Sequence, residues 1–243
     1  DAGATRRDPR PPAPQEGVTE SRMRPPAAQR WWLLACLAGV PLSAVGAAYP
    51  PNTWLQVGPV VVGVVLGWWA LRRWPLSDAS VGWLGGFILL HLFAARWTYS
   101  SVPYDAWGQA AFGFSIDKAL GFERNMFDRL VHFASGLCFA RPLVELCIVY
   151  GRLSRRWAIA VMILSVLAIG ALYEIFEWTL TIGMSPEAAD MYNGQQGDMF
   201  DAPKDMALAL LGCLVPLAWH RKLLVGPSVP PRPDRSPPVP SAS

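Results

Sequence analysis

Six apolar runs, each close to the length that crosses a bilayer as a helix, dominate the sequence: residues 31–48, 54–71, 81–96, 129–150, 157–182 and 206–225. A hydrocarbon core takes roughly 17 to 25 residues of helix, and within it every backbone amide must find its partner inside the protein. The pattern predicts an all-α fold, a polytopic membrane helix bundle with about six transmembrane helices. The run at 81–96 is the shortest. The run at 31–48 also fits a signal peptide, with Arg24 and Arg30 ahead of it and small residues at its end. Its cleavage would leave the threading of the other five unchanged.

Composition agrees with a bilayer. Of the 243 residues 52% are hydrophobic and only 16% charged, with a mean hydropathy of +0.25, against about 25% charged residues in soluble domains. Most of the 12 Trp stand near the ends of apolar runs, where amphipathic rings sit at the headgroup level. The net charge of +3 is small and its basic residues are scattered, so no nucleic-acid partner is expected. Cys36, Cys138, Cys147 and Cys213 all fall inside apolar runs without paired spacing. They read as small buried hydrophobes, not disulfides.

The domain boundaries follow. Residues 1–30 and 226–243 are rich in Pro, Arg, Ala and Ser, a composition that buries too little apolar surface to offset chain entropy, and both are expected to be disordered. Residues 31–225 form the membrane domain. Met23, followed by Arg24 and soon by an apolar helix, reads as the native start.

Basic residues resist translocation, so their loops mark the cytoplasmic side. Arg22, Arg24 and Arg30 precede the first run, Arg72 and Arg73 follow the second, Arg152, Arg155 and Arg156 follow the fourth, and Arg221 and Lys222 end the sixth. All lie on one side if both termini are cytoplasmic. The segment 97–128 instead holds two basic and four acidic residues, and 182–205 one basic and five acidic. These two face outward. Between Tyr104 and Phe122 the first of them spaces aromatic and aliphatic residues as an interfacial segment would, although Gly108, Gly113 and Gly121 argue against continuous helix.

The outward ends gather ionisable groups. Asp128 and His132 share a face at the start of the fourth run, four residues apart. Glu174 and Glu177 lie inside the fifth run near its outward end, and acids at that depth face the bundle interior and need partners or protons. Gln195, Asp198, Asp201 and Asp205 lead into the sixth, with Asp201 and Pro203 spaced as a helix start. If that helix reaches back to Asp198, the three Asp share one face. Each has a plainer reading: Asp201 as a cap alone, Asp128 as a partner of Arg124 or Arg129, His132 as a packing histidine. Arg141 and Glu145, four apart in the fourth run, read as a structural pair beside Pro142, and His220 reads as interfacial.

The stretches 91–103 (HLFAARWTYSSVP), 121–136 (GFERNMFDRLVHFASG), 171–178 (ALYEIFEW) and 194–212 (GQQGDMFDAPKDMALALLG) resemble the YjdF-like inner-membrane proteins, a family of unknown function. The resemblance covers most of the chain from the third run onward. It implies a multi-pass protein of the bacterial cytoplasmic (inner) membrane. Members carry Tyr at the position of Trp97 and Thr-Gln in place of Ala202-Pro203, which makes these poor candidates for chemistry. A more distant likeness is to VanZ-like membrane proteins, with an Asp-Lys-x-x-His-Phe element and an Asp-rich final helix start, and it hints at the cell envelope.

Three functions remain open on the sequence. In the first, His132, Glu174 and Glu177 supply acid–base groups to a binder or enzyme for an envelope or lipid-headgroup substrate, with Asp128, Gln195, Asp198, Asp201 and Asp205 around them. One His among carboxylates would suit a hard divalent cation, Mg or Mn, better than Zn. In the second, Glu174 and Glu177 are protonation sites of a proton-coupled transporter or channel, although no internal repeat is visible. In the third, the cluster only locks helices of a structural or assembly protein.

Overall fold

Local signals set the helix ends. In the computed structural model, which describes residues 26–219, all regular structure is helical. The helices are α1 (Ala27–Ala44), α2 (Pro50–Arg73), α3 (Asp78–Ala95), α4 (Tyr104–Phe112), α5 (Ile116–Leu120), α6 (Phe127–Val149), α7 (Arg155–Thr181), α8 (Pro186–Asn193) and α9 (Asp201–Trp219). Ser77, Ser115 and Ser185 cap α3, α5 and α8 by accepting a backbone N–H three residues on. Prolines open α2 and α8, where no amide hydrogen bond is lost. Gly113 and Gly121, expected to interrupt a helix, close α4 and α5 in left-handed conformation. The segment 104–120 is therefore two short helices, leaving Phe112, Phe114 and Leu120 exposed as an interfacial segment would.

Four helices, α2, α3, α6 and α7, are long and apolar enough to cross a membrane. The other two expected spans, α1 and α9, have 18 and 19 residues, about 27 Å at 1.5 Å per residue, and carry polar groups in their first turns. Gln29 of α1 donates to Leu76 O and Asp78 Oδ1 at 3.0 and 2.7 Å. Helix α1 begins at Ala27, three residues before the expected end of the disordered segment. Met23, His220 and most of both tails lie outside the described residues.

Two trios form. Helices α1, α2 and α3 pack together, as do α6, α7 and α9, and the trios meet chiefly through α3 against α6. Ala140, Val144, Ala158, Met162, Val166, Ala209 and Cys213 form the core of the second trio, while Val57, Leu92 and Ala95 join α2 to α3. Helices α6 and α9 approach most closely at two glycines. A Cβ on Gly136 would lie 1.8 Å from Ala209 O, and one on Gly212 2.0 Å from Phe133 O. Helix–helix contact of this kind depends on small residues because lipid offers no competing hydrophobic drive. Outside the trios, Leu164, Leu172, Ile175 and Trp178 of α7 are exposed, as lipid-facing side chains must be.

Glu145, expected with Arg141 in an ion pair or a bundle-facing network that holds helices together, joins α6 to α3. Its carboxylate accepts from Ser77 N at 2.6 Å, from Ser77 Oγ at 2.7 Å, and from Ser80 Oγ. Helix α6 thus supplies an anion to the N-terminus of α3, where unpaired amides and the helix dipole favour one.

Candidate functional site

The two long connections, 96–126 and 182–200, share one end of the bundle. Gln196 and Asn125 bind reciprocally: Asn125 N donates to Gln196 Oε1 at 3.2 Å and Gln196 Nε2 donates to Asn125 O at 3.1 Å. Arg124 Nη1 donates to Gly194 O at 3.1 Å. Gln195, expected in the cluster, is exposed, as is Gln196, which has a left-handed φ of 50°.

Beneath these connections the acids of α6 and α9 are held by two arginines. Arg124 pairs with Asp128 at 3.1 Å and Asp201 at 2.9 Å. Arg129 pairs with Asp201 at 2.6 Å, Asp205 at 2.5 Å and Asp198 at 3.2 Å. Asp198 also binds Lys204 at 2.6 Å, and that hydrogen bond holds its carboxyl below the usual aspartate range. Helix α9 starts at Asp201, not at Asp198. Asp198 reaches the network from a turn, so the expected three-aspartate helical face is two residues on the helix and one before it. Asp201 is a double arginine acceptor and more than a cap.

The candidate acid–base groups divide. His132, Glu174 and Asp205, from α6, α7 and α9, bring ligand-capable atoms within 4.8 Å of one another. His132 Nε2 lies 3.7 Å from Asp205 Oδ2, beyond hydrogen-bond range. Glu174 Oε1 is buried and meets no hydrogen-bond donor among the described residues. Glu177 stands one turn further along α7, beside Tyr173 and Tyr192, and Tyr173 packs edge-on against His132 with ring centroids 6.1 Å apart.

A second polar group faces the same space. His91 Nδ1 is 2.6 Å from the Tyr99 hydroxyl and Nε2 is 3.1 Å from Gln56 O; with Nε2 protonated, the tyrosine donates to Nδ1. Thr98 and Tyr99 have φ of 51° and 55°, a conformation that non-glycine residues keep only where their surroundings impose it. Burial pushes the Tyr99 and Tyr192 hydroxyls well above the ordinary tyrosine range. Both stay protonated as donors.

His91, Tyr99, His132, Tyr173, Glu177 and Asp205 line one end of a cavity of about 560 Å³ between the trios, with Glu174 just outside its lining. Asn193 lines the same polar end. The wall beyond is apolar, built by Trp32, Val60, Leu84, Ile88, Phe139 and Ile169. Its volume falls within the usual range for small-molecule sites. Tyr99, Tyr173, Tyr192 and His91 were not legible as site residues, since tyrosines near apolar runs look like interface anchors. His91 and Tyr99, eight residues apart, offered no local pattern.

The comparisons with known proteins agree with the helical reading. Residues 28–225 match the family described as "Predicted membrane protein (DUF2238)". The chain is 34% identical over 170 residues to the Escherichia coli (strain K12) protein named "Inner membrane protein YjdF", an alignment spanning 69% of this chain and 77% of that protein. No solved structure matches. With its helices, its YjdF-like motifs and a family match over most of its length, the chain belongs to the DUF2238 family of membrane proteins.

Proposed function

We propose that the protein is a multi-pass protein of the inner membrane that binds or modifies a lipid or related envelope molecule, with the headgroup at the polar end of the cavity and the apolar chain along its wall. The observation that carries this reading is the continuity of the cavity: one space joins His132, Glu177 and Asp205 to Trp32, Leu84 and Ile88. Amphipathic ligands need that combination. The inner-membrane assignment draws on the printed name of the Escherichia coli relative. The Lys and Arg bias of the short connections supports cytoplasmic termini and an extracytoplasmic polar end.

Within the site the ion pairs of Arg124 and Arg129 commit Asp128, Asp198 and Asp201 to structure, while Asp205 also faces His132. His132, Glu174 and Glu177 carry the acid–base chemistry, since these two arginines are taken up by the aspartates. Native mass spectrometry of the purified protein, released from detergent, tests the reading by revealing co-purified lipid. Binding lost in His132→Ala and Glu177→Ala, with helical content unchanged, is the expected result. Retention of lipid by both variants would sink it.

Proton-coupled transport is a second reading, favoured by the cavity's length. Its lining runs from Asn193 at the loop-rich end to Gln29 and Leu76 at the other. Proton flux in reconstituted liposomes that vanishes in Glu177→Gln is the outcome that would displace lipid binding.

A further inference from the structure

We infer that His132, Glu174 and Asp205 form a binding site for one divalent cation, Mg or Mn, at the polar end of the cavity. The inference deepens the lipid reading by naming the group that would receive a headgroup phosphate. It does not depend on that reading for its own test.

Geometry comes first. The three side chains come from three helices, and their nearest ligand atoms lie within 4.8 Å of one another. A cation bound at about 2.1 Å from each atom sets its ligands about 3 to 4 Å apart, so closure of about 1 to 2 Å completes the set. The 3.7 Å between His132 Nε2 and Asp205 Oδ2 is too long for a hydrogen bond and suits two ligands of one ion.

Unused bonding capacity is the second observation. Asp205 is only 3% exposed. Its Oδ1 pairs with Arg129 at 2.5 Å, and its Oδ2 lies 3.7 Å from His132 Nε2. Glu174 Oε1 is buried and meets no hydrogen-bond donor among the described residues. A buried carboxylate oxygen without a donor is costly and calls for an explanation.

Charge is the third. Asp128, Asp198, Asp201, Asp205, Glu174 and Glu177 are six acids in one neighbourhood, against the three cations Arg124, Arg129 and Lys204. The neighbouring set Asp128, Asp201 and Asp205 also has close ligand atoms, but Arg124 and Arg129 fill it. Glu174 lies on the side of the cluster that these ion pairs do not reach. A hard cation with open positions there would stabilise the carboxylates as anions and give phosphate oxygens a ligand site.

The test uses the full chain purified in detergent, stripped with a chelator and titrated with Mn²⁺ under electron paramagnetic resonance. The expected result is one tightly bound Mn²⁺ per chain, with a nitrogen coupling from His132 in the pulsed spectrum. Glu174→Gln should weaken binding by roughly tenfold or more, at least what loss of an outer-sphere partner costs, while Glu187→Gln on the exposed face of α8 leaves it unchanged. The nitrogen signature in the wild-type protein keeps the test valid even if Glu174→Gln fails to fold. Absence of tight Mn²⁺, or bound Mn²⁺ without nitrogen coupling, overturns the site. Mn²⁺ binding without co-purified lipid would overturn the lipid reading alone.

Discussion

Arg129 grips Asp201 twice, its Nη2 meeting the carboxylate Oδ1 at 2.6 Å and its Nη1 donating to the main-chain oxygen at 3.0 Å. One guanidinium therefore fixes both the side chain and the backbone of the first residue of α9. The same Nη1 holds Asp205 one turn later at 2.5 Å.

Removal of that guanidinium is predicted to be severe. Arg129→Met leaves Asp201 and Asp205 as buried anions with fewer partners, and breaking a buried pair from one side costs about 3 to 5 kcal/mol. Thermal unfolding in detergent checks it. The double variant Arg129→Met with Asp205→Asn should recover part of the loss; a single-variant change within about 1 kcal/mol would mean the pair behaves as a solvent-exposed one.

The close approach of α6 and α9 gives a second prediction. Gly136→Ala places a methyl group where Ala209 O now stands, so the helices must separate, at the typical overpacking cost of about 1 to 3 kcal/mol. Gly86→Ala is the control, because its added methyl meets nothing within 4 Å. Equal melting temperatures for the two variants would contradict the packing.

Acid should loosen the turn before α9. The carboxyl of Asp198 is held below its ordinary value by Lys204, so its folded pKa lies under its unfolded pKa. The stability it contributes is present above the unfolded value, near 4, and is lost as pH falls through the folded one. Melting temperatures followed from pH 6 to below 4 in the wild type and Asp198→Asn should converge at the acid end. Parallel curves would exclude the contribution.

Orientation is testable through cysteine labelling. Cys36, Cys138 and Cys213 are buried and Cys147 is half-buried, which keeps the background low. Gln195→Cys should react with a membrane-impermeant maleimide in intact spheroplasts, and Arg152→Cys only after lysis. The reverse pattern would invert the topology.

How much was legible in the sequence depends on the range of the interaction. Apolar runs gave six helices in the right places because length and hydropathy are local properties. Pairings were harder. Spacing alone marked Arg141 and Glu145 as structural, yet it could not show that Ser77 and Ser80 of another helix donate to Glu145. It also selected Gln195, one residue away from the glutamine that binds Asn125, and the left-handed backbone at Gln196 is not a property of spacing. His132, Glu174 and Asp205 do converge, as their shared end of the bundle implied. That Asp205 joins this set while also pairing with Arg129 could be read only from the fold.

The seam between α3 and α6 resembles the spine of a book, with the cavity between its covers. Asp128, Asp198, Asp201 and Asp205, together with the arginines that hold them, are bound into the cover formed by α6, α7 and α9 and its adjoining loops. None of these ion pairs reaches across to α1, α2 or α3, so the charged network stiffens one wall of the cavity and leaves the facing wall to packing.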